Sequence, residues 1–110
     1  MNLVTGATGF IGRHLAERLA AAGEPTRVLC REQSAAKLPA ALRGRVEVAY
    51  GDLLDRGSLA DAMRGVERVF HCAGHVADWG RDAEFRMINV DGTRALLDHA
   101  ATAGVARFVH

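Results

Sequence analysis

At 110 residues, 49% of them hydrophobic, the chain suffices for one domain with a packed core and is too short for two. Fourteen Lys and Arg against thirteen Asp and Glu leave a formal charge of +1, so no global field draws the chain to nucleic acid or to an anionic membrane. The sequence opens on an apolar strand-like run without a leader pattern, and no run approaches bilayer-spanning length. With Cys30 and Cys72 each inside a short apolar run rather than a C-x-x-C, two free thiols in a reducing cytoplasm are expected.

In chain order, residues 1–4 form a first run of β character, and a glycine-rich turn follows at once. Residues 10–22 place Ile11, Leu15, Leu19 and Ala22 at helical spacing, and Gly23 predicts a left-handed cap. A second strand falls at 26–30, then a weaker helical stretch at 34–42 broken by Pro39, then a third strand at 46–50. Ser58 is placed to cap a helix at 59–64 that Gly65 stops. After a fourth strand at 68–72, the longest helix spans 83–103, with Phe85, Ile88, Leu96, Leu97 and Ala100 on its apolar side and Gly104 closing it. Gly92 in its middle either weakens it or marks close packing against a neighbour. A fifth strand occupies 107–110.

Short strands alternating with amphipathic helices are the pattern of βαβ units on a parallel sheet. The expectation is a single α/β domain over 1–110: a Rossmann-type doubly wound parallel sheet, five strands in the order 3-2-1-4-5. Its ligand crevice would lie at the carboxyl ends of strands 1 and 4.

At that place stands Thr5-Gly6-Ala7-Thr8-Gly9-Phe10-Ile11-Gly12, between the first strand and the first helix. Gly6 can turn tightly off the strand, Gly9 can let backbone approach a diphosphate with no Cβ in the way, and Gly12 can let the helix pack closely on the sheet. The diphosphate of NAD or NADP would rest on the free N–H groups of the helix N-terminus. A bare glycine triplet is weak evidence; strand, loop, helix and second strand in register make it a cofactor motif.

Spelled T-G-x-x-G-x-x-G, this loop resembles the short-chain dehydrogenase/reductase superfamily, in its extended branch of nucleotide-sugar epimerases, dehydratases and steroid or flavonoid reductases. Gly51-Asp52-Leu53, His71-Cys72-Ala73-Gly74, Asn89-Val90-Asp91-Gly92-Thr93 and Arg107-Phe108-Val109-His110 extend the resemblance over the whole chain. It implies that Gly6, Thr8, Gly9, Phe10, Ile11 and Gly12 hold the diphosphate. Asp52 and Leu53 would contact the adenine, Cys72, Ala73 and Gly74 would line the diphosphate and nicotinamide ribose, and Asn89 would lie near the cofactor or brace strand 4. Each has a plainer alternative: Asp52 can cap its own turn, Ala73-Gly74 can simply end a strand, and Asn89 can satisfy a buried backbone group.

An NAD-selective site usually carries Asp or Glu at the end of strand 2. Here stands Cys30 followed by Arg31, whose planar, permanently charged fork suits a 2′-phosphate, so NADP is expected over NAD. Two alternatives stay open: Arg31 is a solvated side chain paired with Glu32, or Glu32 itself reaches a ribose.

The resemblance also implies a Ser or Thr after strand 5 and a Tyr-x-x-x-Lys on the next helix as the catalytic groups. No catalytic residue of that kind is present: Tyr50 is the only tyrosine, and Lys37, the only lysine, does not pair with it. The expectation is a fragment, inactive alone, of an oxidoreductase, epimerase or dehydratase acting on a small-molecule carbonyl or alcohol; the alternative is a non-catalytic NADP(H) sensor. Trp79 in the loop 75–80 either stacks on a substrate ring or anchors the loop, and His71, His75 and Asp78 do not have metal-site spacing. Homodimerisation through the long helix is a further implication of the resemblance, and no membrane or nucleic-acid partner is expected.

Overall fold

Five short strands order the chain into one parallel sheet, with the buried positions on the strands inside it rather than on its two edges. The structure is a computed structural model, and it describes residues 1–72 and 92–109. The strands are β1 (Asn2–Thr5), β2 (Thr26–Cys30), β3 (Glu47–Tyr50), β4 (Arg68–His71) and β5 (Arg107–Val109). They lie in the order β3-β2-β1-β4-β5, every neighbouring pair parallel. Thr5 is in register with Leu29 on one side and His71 on the other, so the carboxyl ends of the three central strands meet at one edge.

Side chains alternate between the two faces of a strand, and here each face has its own core. Leu3, Leu29 and Val69 pack with Leu59, Ala62 and Met63 and with Ala95, Leu96 and Ala100. Val4, Val28 and Cys30 point the other way, to Ala7 and Ala16 and to Leu38 and Leu42. The helices are α1 (Phe10–Ala21), α2 (Arg56–Ala62) and α3 (Gly92–Ala103), with a 3-10 helix at Glu32–Lys37. Among the described residues no helix is long and apolar enough to cross a membrane.

α1 ends as its sequence implies. Gly23 adopts φ 76°, and its N–H and that of Glu24 reach back to the carbonyls of Ala20 and Leu19 at 3.0 and 3.1 Å, the paired bonds of a Schellman cap. Its buried line runs through Gly12 and Ala16, whereas Ile11, assigned to the apolar face by spacing, is exposed beside the glycine loop.

Three other elements depart from expectation. The stretch at 34–42 makes only the 3-10 helix, because Leu38 precedes Pro39 and takes the extended conformation (φ −65°, ψ 132°) that a following proline imposes. α2 begins at Arg56 and is capped by Asp55, whose carboxylate accepts from the N–H groups of Gly57 and Ser58; Ser58 is therefore not the cap. In α3, Leu96 and Ala100 are buried but Leu97 is exposed. Strand 4 ends at His71, one residue short of its expected bound, while the expected positions 83–91 of the long helix and the final residue of strand 5 lie outside the described residues.

Candidate functional site

The glycine loop joins the carboxyl end of β1 to the amino end of α1. Gly6 turns the chain with φ 77°, a left-handed conformation that a Cβ disfavours. Gly9 N–H donates to the Gly6 carbonyl at 3.0 Å, and Arg13 N–H donates to the Gly9 carbonyl at 3.0 Å, the first bond of the helix. The amides of Phe10, Ile11 and Gly12 precede that bond and have no acceptor within the helix. Among the described residues no side chain caps this end, and no acid stands in the first turn. Thr8, Gly9, Phe10 and Ile11 are exposed. The result is an accessible set of amide donors at the positive end of a helix, with no carboxylate in its first turn to compete for them: a place for an anion.

The glycines serve different ends. A Cβ on Gly12 would overlap the Gly6 carbonyl oxygen and stand 2.6 Å from its carbon, so Gly12 is demanded by the turn itself, rather than by helix-to-sheet packing as its spacing suggested. Gly9 is extended (φ −89°, ψ 173°), and a Cβ there would meet nothing closer than the Gly6 carbonyl oxygen at 3.4 Å, an ordinary contact. Nothing within the described chain requires glycine at position 9.

A second turn lies at the end of β3, beside the first. Gly51 N–H donates to the Cys30 carbonyl at 2.9 Å, tying the turn to β2. Asp52 Oδ1 accepts from Leu54 N–H at 3.0 Å, so the carboxylate does brace its own turn. Leu53 packs on the start of α3: a Cβ on Gly92 would come within 3.1 Å of Leu53 Cβ, which makes Gly92 a point of close packing.

His71 closes the floor between the two central strands. It is buried, with Nδ1 at 2.7 Å from Thr5 Oγ1 and Nε2 at 2.9 Å from Thr93 Oγ1, and so ties the ends of β1 and β4 to the first turn of α3. These partners stand 66 and 22 residues away in the chain and leave no local signal in the sequence. Cys72 follows, half-buried, its N–H donating to the Thr5 carbonyl at 3.2 Å. Burial pushes the thiols of Cys30 and Cys72 up, which suppresses thiolate at neutral pH and argues against a nucleophilic role.

Cys30 is buried in the core, and Arg31 is exposed immediately after it. Among the described residues the Arg31 side chain forms no ion pair or hydrogen bond, so the pairing with Glu32 is not made. Tyr50 at the end of β3 and Lys37 at the end of the 3-10 helix sit on different elements. Ala73, Gly74 and Asn89, together with His75, Asp78 and Trp79, lie outside the described residues.

The pattern of the NAD dependent epimerase/dehydratase family matches residues 2–110. The chain belongs to that family. It is 50% identical over 111 aligned positions to sterol demethylase protein B of Methylococcus capsulatus, an alignment covering 98% of this chain and 33% of that protein. Among solved structures it resembles a short-chain dehydrogenase/reductase superfamily protein from Agrobacterium tumefaciens with bound NAD, at TM-score 0.80 and 36% identity over 98% of this chain and 31% of that one. It also resembles the dTDP-glucose 4,6-dehydratase DesIV of Streptomyces venezuelae with NAD bound, at TM-score 0.82 and 36% identity over 99% of this chain and 38% of that one. The chain thus spans about a third of the length of the curated relatives it matches. Its sheet order is that of this Rossmann-like family, and both of these solved relatives hold NAD.

Proposed function

We propose that the chain is the dinucleotide-binding part of an oxidoreductase, epimerase or dehydratase, and that it prefers NADP(H) to NAD(H). The observation that carries the reading is Gly9: an extended glycine whose own chain leaves room for a Cβ, at the mouth of a set of free helix amides. Glycine there makes sense if a ligand comes against the backbone, and donors of that kind suit a diphosphate. The residues fit the group that the family implies. Gly6, Thr8, Gly9, Phe10, Ile11 and Gly12 would hold the diphosphate, Asp52 and Leu53 would take the adenine, Cys72, Ala73 and Gly74 would line the diphosphate and nicotinamide ribose, and Asn89 would lie near the cofactor or brace strand 4. Once bound, the nicotinamide supplies hydride transfer.

Arg31 supports the preference for NADP(H). It is exposed just after β2, with no side-chain partner among the described residues, where an acid would repel a 2′-phosphate and a guanidinium attracts one. The substrate is a small-molecule carbonyl or alcohol, with the steroid-like class favoured over nucleotide sugars by the similarity to a sterol-processing protein. The reacting proton needs a general acid or base that these residues lack, since Tyr50 and Lys37 form no Tyr-x-x-x-Lys. The protein works in the cytoplasm.

Calorimetric titration with NADPH and NADH tests the reading. NADPH is expected to bind more tightly, Arg31→Ala to abolish the difference, and the 110-residue chain to reduce no carbonyl substrate. Equal affinities before and after the substitution would remove Arg31 from the site, and turnover by this chain would place the catalytic groups within it.

A further inference from the structure

Asp55 caps α2, which leaves the hydroxyl of Ser58 for another purpose. Ser58 Oγ lies 2.7 Å from the Asp55 carbonyl, 3.1 Å from the Asp52 amide nitrogen and 3.2 Å from the Asp52 carbonyl. With a single proton, the hydroxyl donates best along the shortest contact, to Asp55, while its lone pair accepts the Asp52 N–H. The turn 51–55 is thereby pinned from the helix side. Gly51 makes the pinning possible: a Cβ there would fall 2.6 Å from Ser58 Oγ and 2.7 Å from Ser58 Cβ, with Leu29 Cδ1 at 3.0 Å. Gly51 does not have a positive φ, so room for Ser58, rather than backbone freedom, is what glycine provides. From the other side Leu53 is held against Gly92.

This clamp settles which groups of the turn are left to meet a ligand. The Asp52 N–H is consumed by Ser58. The Leu53 N–H has no acceptor among the described residues, and the Asp52 carboxylate, which takes one bond from Leu54 N–H, keeps further lone pairs. A donor beside an acceptor complements the edge of adenine, which offers an acceptor at N1 and a donor at its 6-amino group. Hypoxanthine offers the reverse.

We infer that Ser58 is a positioning residue that confers adenine selectivity on the dinucleotide site by holding Asp52 and Leu53 in this donor–acceptor arrangement. The inference rests on the adenine role proposed for Asp52 and Leu53. Dissociation constants for NADPH and for its deamino analogue, which carries hypoxanthine, are measured on the protein and on Ser58→Ala and Gly51→Ala, with thermal melting of each. The unsubstituted protein should prefer the adenine form. Each variant should lose about five- to tenfold in affinity for it, the worth of roughly one hydrogen bond, with little change for the hypoxanthine form. Gly51→Ala displaces Ser58 without removing its hydroxyl, so it reads the same clamp by a different route.

An unchanged preference in a folded variant, or an equal loss for both dinucleotides, would overturn the role of Ser58 and make it a structural residue. An unsubstituted protein that binds both forms equally, or neither, would instead overturn the adenine role of Asp52 and Leu53, and the inference with it.

Discussion

Alanine at Gly9 and alanine at Gly12 should act on different properties, although the two glycines lie in one loop. At Gly12 the new methyl meets backbone: it overlaps the Gly6 carbonyl oxygen and stands 3.1 Å from the Ala7 nitrogen, so the turn itself must move. Overpacking of this kind costs about 1–3 kcal/mol, offset by the roughly 1 kcal/mol by which alanine outranks glycine inside a helix. A net loss of up to about 2 kcal/mol corresponds to a fall in Tm of up to roughly 16 °C for a domain of this size. At Gly9 the methyl makes only an ordinary contact with the Gly6 carbonyl oxygen at 3.4 Å, with acceptable φ and ψ. Alanine is the poorer N-cap by several tenths of a kcal/mol, but it lowers unfolded-state entropy by a similar amount, so stability should stay within about 0.5 kcal/mol. Dinucleotide affinity should nevertheless fall on the order of 10- to 100-fold, because a diphosphate held off the amides loses at least one charge-assisted hydrogen bond. Denaturant unfolding and calorimetric titration of both variants measure the two effects. A Gly12→Ala protein more stable than the parent would refute the turn geometry, and a Gly9→Ala protein with parental affinity would refute the location of the site.

His71→Leu removes the ring that joins Thr5 and Thr93 and should destabilise the fold by about 1–3 kcal/mol in urea unfolding, since the buried Thr5 hydroxyl and the part-buried Thr93 hydroxyl each lose a partner. Parental stability would show that the His71 contacts contribute nothing. The raised thiols of Cys30 and Cys72 carry a definite sign. The unfolded chain loses its thiol protons first, so stability is unaffected below the ordinary thiol range and falls as pH climbs through it toward the raised folded values. Replacing both cysteines with alanine should flatten that alkaline decline in a series of denaturation curves. Rapid alkylation of the native protein at pH 7 would contradict the burial.

Much of the fold was legible because its signals are local. Strand β2 matches its expected bounds of 26–30: the chain leaves the buried sheet at Arg31, and Pro25 stands before it. The glycine turn was legible for the same reason, since a positive φ at Gly6 and a helix start at Phe10 are written within a few residues. The reason for Gly12 was not, because which atom a missing Cβ would strike depends on how the chain doubles back. Asp55 and Ser58 both favour N-caps and stand three residues apart, so type alone could not choose between them; the choice fell to Asp55, and Ser58 was freed to hold the neighbouring turn. His71 with Thr5 and Thr93, and Leu53 with Gly92, are contacts that only the assembled sheet and helices create. Leu97 was misplaced because spacing defines an apolar side without saying how wide a strip the sheet covers.

Two-dimensional amide NMR during titration with NADPH tests the dinucleotide site most directly. Saturable shifts are predicted at the amides of Gly9, Phe10, Ile11, Gly12 and Arg13, with a second group at Arg31, Asp52 and Leu53. A folded protein whose loop amides stay fixed at high NADPH, or whose shifts gather at the opposite strand ends around Glu67, Arg68 and Arg107, would contradict it.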